Sequence, residues 1–134
     1  MKTLILMICM TGLSALALAQ NAPATPARIT AADAKSHSGE TVTVCGKVVD
    51  TKVPRYGIAG RGKPVTFDLD QPEPKPVFFF VAFGSQEGGP KEAVAAYQGK
   101  RVCVTGKIET TAEPSVPFIM AADRSQIKPQ PEGK

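Results

Sequence analysis

Two distant segments carry the same local pattern: Val42-Thr43-Val44-Cys45-Gly46-Lys47-Val48 and Val102-Cys103-Val104-Thr105-Gly106-Lys107-Ile108 both read V-x-V-x-G-K-[VI]. Apolar β-branched residues at every second position mark a half-buried strand. A glycine inside such a strand weakens it, yet it lets the strand bend or bulge where a small barrel curves. Both strands are therefore expected to curl. They are too short and too far apart to be units of a repeat array. Composition points the same way, because 12 Gly and 12 Pro stand among 134 residues and only 21% are charged, which argues against a helical bundle or coiled coil.

The amino terminus reads as a removable export signal. Lys2 supplies a positive start, Leu4 to Leu18 an apolar stretch, and Ala17-Leu18-Ala19 before Gln20 the small-x-small form that signal peptidase accepts. Thr11, Gly12 and Ser14 interrupt the run, which falls short of the roughly 20 residues of a membrane span. Only about five apolar residues precede Cys9, too few for a lipoprotein signal. Cleavage of 1–19 is expected to leave a periplasmic or secreted chain without a membrane span. Loss of Lys2 lowers the formal net charge of +4 by one, a mild basic excess. The remaining chain, about 115 residues, can bury one core but excludes a two-domain enzyme with a cleft between domains.

Behind the signal, 20–28 contains Pro23, Pro26 and several alanines without periodicity and reads as a flexible leader. Residues 128–134, with Pro129 and Pro131, read as a flexible tail, which leaves 29–127 as one domain. Thr30 to His37 favours a helix, with Thr30 as its cap and Gly39 as its stop. Strands are expected over Thr41 to Asp50, Val65 to Asp70, Val77 to Phe83, Arg101 to Ile108 and Phe118 to Ala122. A second helix is expected over Pro90 to Tyr97, opened by proline and stopped by Gly99. Val77 to Phe83 is apolar on both faces, so periodicity cannot orient it. On one parity Phe79, Val81 and Phe83 fill the core, and Phe78 and Phe80 stand outside, either as a contact for a peptide, glycan or protein or beneath the amino-terminal helix or leader.

The order of strand, basic loop, strand, strand, helix, Gly-Lys strand, strand resembles the OB-fold of small exported bacterial proteins and, more distantly, barrels of the tRNA-anticodon-binding type. The residues that carry the resemblance are Gly39 to Val48, Phe67-Asp68-Leu69, Phe78 to Phe83, and Tyr97-Gln98-Gly99-Lys100-Arg101-Val102 through Gly106-Lys107-Ile108. It covers about 29–127 and implies an all-β chain with short helices, closed as a five-stranded Greek-key barrel. In such a barrel the first and fourth strands are neighbours, and Cys45 and Cys103 both lie on the non-valine parity. The resemblance thus permits a structural disulfide in an oxidising compartment, the alternative being two unpaired thiols.

The fold hosts unrelated binding roles, so function has to come from the residues. Between the first two strands Lys47, Lys52, Arg55, Arg61 and Lys63 outnumber the single Asp50, and Tyr56 sits among them with Gly57, Gly60 and Gly62. A flexible basic loop with an aromatic can grip a phosphate and stack a base. Asp68 and Asp70, however, are expected to project from the neighbouring strand face and repel a phosphate backbone, and a merely solvated loop is the competing reading. The lone His37 is expected at the surface, and Asp68-x-Asp70 lacks the glycine-bearing loop of a calcium site. No nucleophile with a paired base, metal-ligand spacing or phosphate-cradling loop is recognisable. The sequence therefore leads to an exported, non-enzymatic OB-fold binding module without cofactor, for a protein, peptide or anionic ligand. The alternative is a single-stranded nucleic-acid binder using the basic loop 47–63.

Overall fold

The computed structural model describes residues 25–131; the expected signal 1–19, leader residues 20–24 and tail residues 132–134 lie outside the described residues. The chain is all-β with few helices. Among the described residues eight strands, β1 (Arg28–Thr30), β2 (Thr41–Lys52), β3 (Pro64–Leu69), β4 (Phe79–Phe83), β5 (Arg101–Lys107), β6 (Glu109–Thr110), β7 (Pro117–Ala121) and β8 (Ile127–Pro129), make one sheet. Its order is β6-β7-β4-β3-β2-β5-β8, with β1 beside β2. The single α-helix among the described residues, α1 (Pro90–Tyr97), lies between β4 and β5 and begins at proline, whose missing N–H costs nothing there. Eight strands thus replace the five expected. The additional β1, β6 and β8 are two or three residues long, too short to show a period.

β2 organises the sheet. Its residues Thr41 to Lys47 pair antiparallel with β5, whereas Val48 to Lys52 pair with β3, with a register shift between Val48 and Asp50. β1 runs parallel along the first half, with Thr30 opposite Cys45. Two of the expected boundaries move as a result. Thr30 belongs to a strand because Ile29, opposite Val44, packs against the core, and only a 3-10 turn at Ala34–His37 survives of the expected helix. Instead of capping a helix, the Thr30 hydroxyl donates to Asp33 Oδ2 at 3.0 Å. Pairing also reaches into both expected ends: Arg28 lies opposite Thr43, and Lys128 and Pro129 lie opposite Cys103 and Val102.

The core is built from the inward parity of the long strands. Val42, Val44 and Val48 of β2 meet Val65, Phe67 and Leu69 of β3, and Phe78, Phe80, Ala82, Val104 and Ile119 belong to the same cluster. Phe67 stacks on Phe80 at 4.8 Å between centroids, and Tyr97 of α1 meets both rings edge-on at 5.5 and 6.0 Å. The expected outward position of Phe78 and Phe80 is therefore wrong: both are 0% exposed. Phe67 lies opposite Phe80 in the β3–β4 ladder, which commits Phe80 to the face that Val65 and Leu69 already fill. Phe79, Val81 and Phe83 take the other face.

The two Gly-Lys strands use their glycines for close approach. A Cβ on Gly46 would lie 2.9 Å from Asp70 Oδ2, and one on Gly106 would lie 2.7 Å from Ile119 Cγ2. β5 and β7 share no ladder, but the empty position at Gly106 admits Ile119. Gln126 Nε2 donates to Thr105 O at 3.0 Å beside it. Cys45 and Cys103 stand opposite each other in the β2–β5 ladder, their Cα atoms 4.1 Å apart, and form a disulfide.

Candidate binding face

The segment after β2 does not float. Ile58 pairs with Gly62, Ile58 N donates to Gly62 O at 2.8 Å, and Arg61 N returns a bond to Ile58 O at 3.0 Å. Gly60 and Gly62, each at φ 79°, supply left-handed positions that a side chain disfavours. Gly84 N donates to Lys63 O at 2.9 Å and the Ser85 hydroxyl bonds Arg61 O, tying the loop to the end of β4. The expected flexible loop is thus a folded turn laid over the outward side of β3 and β4.

Under it lies a groove of about 400 Å³. Val81 and Phe83 of β4, Thr66 and Pro64 of β3, and Met120 of β7 line its sheet side; Lys52, Val53, Pro54 and Ile58 line the loop side. Val81 and Phe83 are buried despite their outward parity, whereas Val53, Ile58 and Met120 remain exposed. Arg61 places its guanidinium 5.3 Å from the Phe83 ring centroid, within cation–π range.

Of the expected basic residues, Lys52 lines the groove and Arg61 sits on its aromatic wall, while Arg55 and Tyr56 point into solvent, Tyr56 being 79% exposed. Lys63 is half-buried beside β3. Phe78 and Phe80 contribute nothing to this face, and Val81, Phe83 and Met120 replace them. An all-apolar run gave no sign of its parity, and Met120 belongs to a different strand. A second aromatic pair, Phe79 and Phe118, stacks at 5.1 Å across β4 and β7.

The two aspartates do not form the expected acidic face. Asp70, at φ 63°, turns back and accepts from Lys47 N through Oδ1 at 2.8 Å. Asp68 is outward but only 2% exposed, and its Oδ2 has no hydrogen-bond partner among the described residues. Burial pushes its carboxyl above the usual range; nearby Lys52 opposes that shift, and the carboxylates of Glu73 and Asp50 add to it. Lys52 bonds Glu73 at 2.5 Å, which holds its ammonium above the usual range. Part of the loop's positive charge is thus already matched.

Elsewhere, Tyr97 OH donates to Glu87 Oε1 at 2.6 Å and Arg124 Nε lies 3.2 Å from Glu87 Oε2. Burial and then the Glu87 carboxylate push the Tyr97 hydroxyl well above its ordinary range. His37 Nδ1 lies 2.7 Å from Glu40 Oε2 near the surface. No group of three metal-ligating side chains occurs among the described residues. No protein-family model matches the chain, and no curated protein or solved structure is significantly similar to it.

Proposed function

We propose that the chain is an exported, non-enzymatic OB-fold binding module whose groove beneath residues 53–63 takes an apolar peptide segment with a negative charge nearby. The strand order β7-β4-β3-β2-β5, with β4 and β7 parallel and α1 between β4 and β5, supports a barrel left open between its fourth and fifth strands. The observation that carries the reading is the apolar groove on the outward side of β3 and β4, with the Arg61 guanidinium on its wall. OB barrels bind ligands on the corresponding face. Apolar lining favours desolvation of an aliphatic or aromatic side chain, and Arg55 and Arg61 favour an acidic neighbour. The disulfide is compatible with an oxidising compartment, and no helix among the described residues is long and apolar enough to cross a membrane.

Selection from a displayed random-peptide library tests this. Enriched peptides should pair an apolar residue with Asp or Glu, and Met120→Arg, a change at an exposed groove position, should weaken them by about tenfold or more. Enriched peptides indifferent to Met120→Arg would place the ligand elsewhere.

One observation favours single-stranded nucleic acid instead: the exposed Tyr56 ring between Arg55 and Arg61 offers a stacking surface. That reading requires binding of a labelled oligonucleotide that falls steeply with salt, and absence of binding at low salt removes it.

A further inference from the structure

The outward side of β1, β2, β5 and β8 carries different chemistry. On the β2–β5 ladder Thr41 lies opposite Lys107, Thr43 opposite Thr105, Cys45 opposite Cys103, and Lys47 opposite Arg101. β1 adds Arg28 beside Thr43, and β8 adds Lys128 beside Cys103. Arg28, Lys47, Arg101, Lys107 and Lys128 therefore share one face, and all are exposed. No Asp or Glu takes an outward position on these strands; Asp33, on the Thr30 hydroxyl, and Asp70, on Lys47 N, stand at the margin, and none of these cations forms a salt bridge among the described residues. Lys47 directly opposite Arg101 is a like-charge pair, which destabilises a sheet. From strand spacing and rise, the patch measures about 15 Å by about 20 Å. Between Arg28 and Lys128 it dips into a cleft of about 340 Å³ lined by Thr43, Thr105 and Cys103.

We infer that this face docks on the anionic headgroup surface of a phospholipid bilayer. Charge complementarity carries the inference, and what the face lacks selects the polyanion. No aromatic ring stands on it, so it offers no stacking platform for a single strand. Hydroxyls and a disulfide occupy its centre, where a stable protein interface has an apolar, aromatic-rich middle. A headgroup surface requires neither. Each Lys or Arg held near it adds attraction, and because Thr43 Oγ1 and Thr105 Oγ1 bond each other at 2.7 Å, one of the two hydroxyls keeps a proton to donate to a phosphate oxygen in the cleft. The face is separate from the groove and does not depend on what the groove binds.

Co-sedimentation of the purified protein with vesicles tests this, using phosphatidylcholine alone or mixed equally with phosphatidylglycerol. At about 0.1 M salt the protein should pellet with the mixed vesicles and remain in solution with the neutral ones; at about 1 M salt it should be released. Arg101→Glu combined with Lys128→Glu should reduce vesicle partitioning by about tenfold or more, whereas Arg55→Ala with Arg61→Ala should leave it within about twofold. Circular dichroism checks that the charge-reversal variant is folded. If it is not, Lys47→Gln with Lys107→Gln serves in its place, with the same tenfold loss expected. Failure to pellet with anionic vesicles, equal pelleting with neutral ones, or loss only in the loop variant would overturn the inference. Tighter binding of a labelled oligonucleotide through the same five cations would overturn it too, and assign the face to nucleic acid.

Discussion

On the β3-β4-β7 side the outward residues Val81 and Phe83 are buried beneath a folded turn, while on the β1-β2-β5-β8 side the outward residues are threonines, a disulfide and five cations. Both sides back onto the same core and use the same two-residue alternation. What differs is the covering. A loop that bonds to itself and to β4 lets apolar side chains occupy outward positions, whereas an uncovered ladder carries hydroxyls and charge. Parity alone therefore says which side of the sheet a residue takes, and the neighbouring loop decides whether that side is dry.

The largest expected effect lies on the basic side. Cys45→Ser with Cys103→Ser removes a bridge across a sequence separation of 58 and should lower the unfolding free energy by about 4 kcal/mol on the chain-entropy account. Urea unfolding measures it, and a loss below about 1 kcal/mol would show that strand pairing alone holds β2 to β5. On the groove side, Phe83→Ala should cost about 3 kcal/mol and free Arg61, because the ring is buried under the turn. A near-neutral result would mean that the turn opens and leaves the ring wet.

A smaller effect concerns Asp68. Its folded carboxyl titrates above the ordinary 3.8, so the folded state holds the proton more tightly than the unfolded chain. The cost of its charge is in force above the folded value and is relieved as pH falls toward 3.8. Asp68→Asn should therefore be more stable than the parent at neutral pH, with the gap in Tm narrowing on acidification. A gap that widens on acidification would mean that attraction to Lys52 outweighs burial. The smallest effect is expected for Lys47→Glu, which replaces a like-charge pair with an opposite one and should stabilise by about 0.2–1 kcal/mol while weakening vesicle binding. Loss of stability instead would mean that repulsion from the Asp70 carboxylate, which accepts from Lys47 N, outweighs the new pair with Arg101.

Legibility in the sequence follows the range of the forces involved. α1 spans Pro90 to Tyr97 as its proline and following glycine indicate, because both signals are local. The cysteine bridge is legible through the resemblance, in which the first and fourth long strands are neighbours and alternation places both thiols on one side. Thr30 to His37 misled because tertiary pairing of Ile29 beside Val44 overrides the helix preference of a few alanines. Phe78 to Phe83 misled because their parity is set by the distant Phe67. The groove was hidden for the same reason: its wall comes from β3, β4, β7 and a turn whose fold depends on Ser85 and Gly84.

The strands at the two ends of the open sheet also bear on how this protein behaves when crowded. An exposed strand edge is a template on which another chain can add and aggregate. Here β6 at one end has only two residues, and β8 at the other has three, including Pro129, with Pro131 just beyond. Proline offers no N–H to an incoming strand. β1 covers the flank of β2 beside Thr43 to Cys45, so that stretch is not left as a third open edge. The short strands that carry almost none of the core thus act as stoppers, limiting edge-to-edge growth of a sheet that does not close on itself.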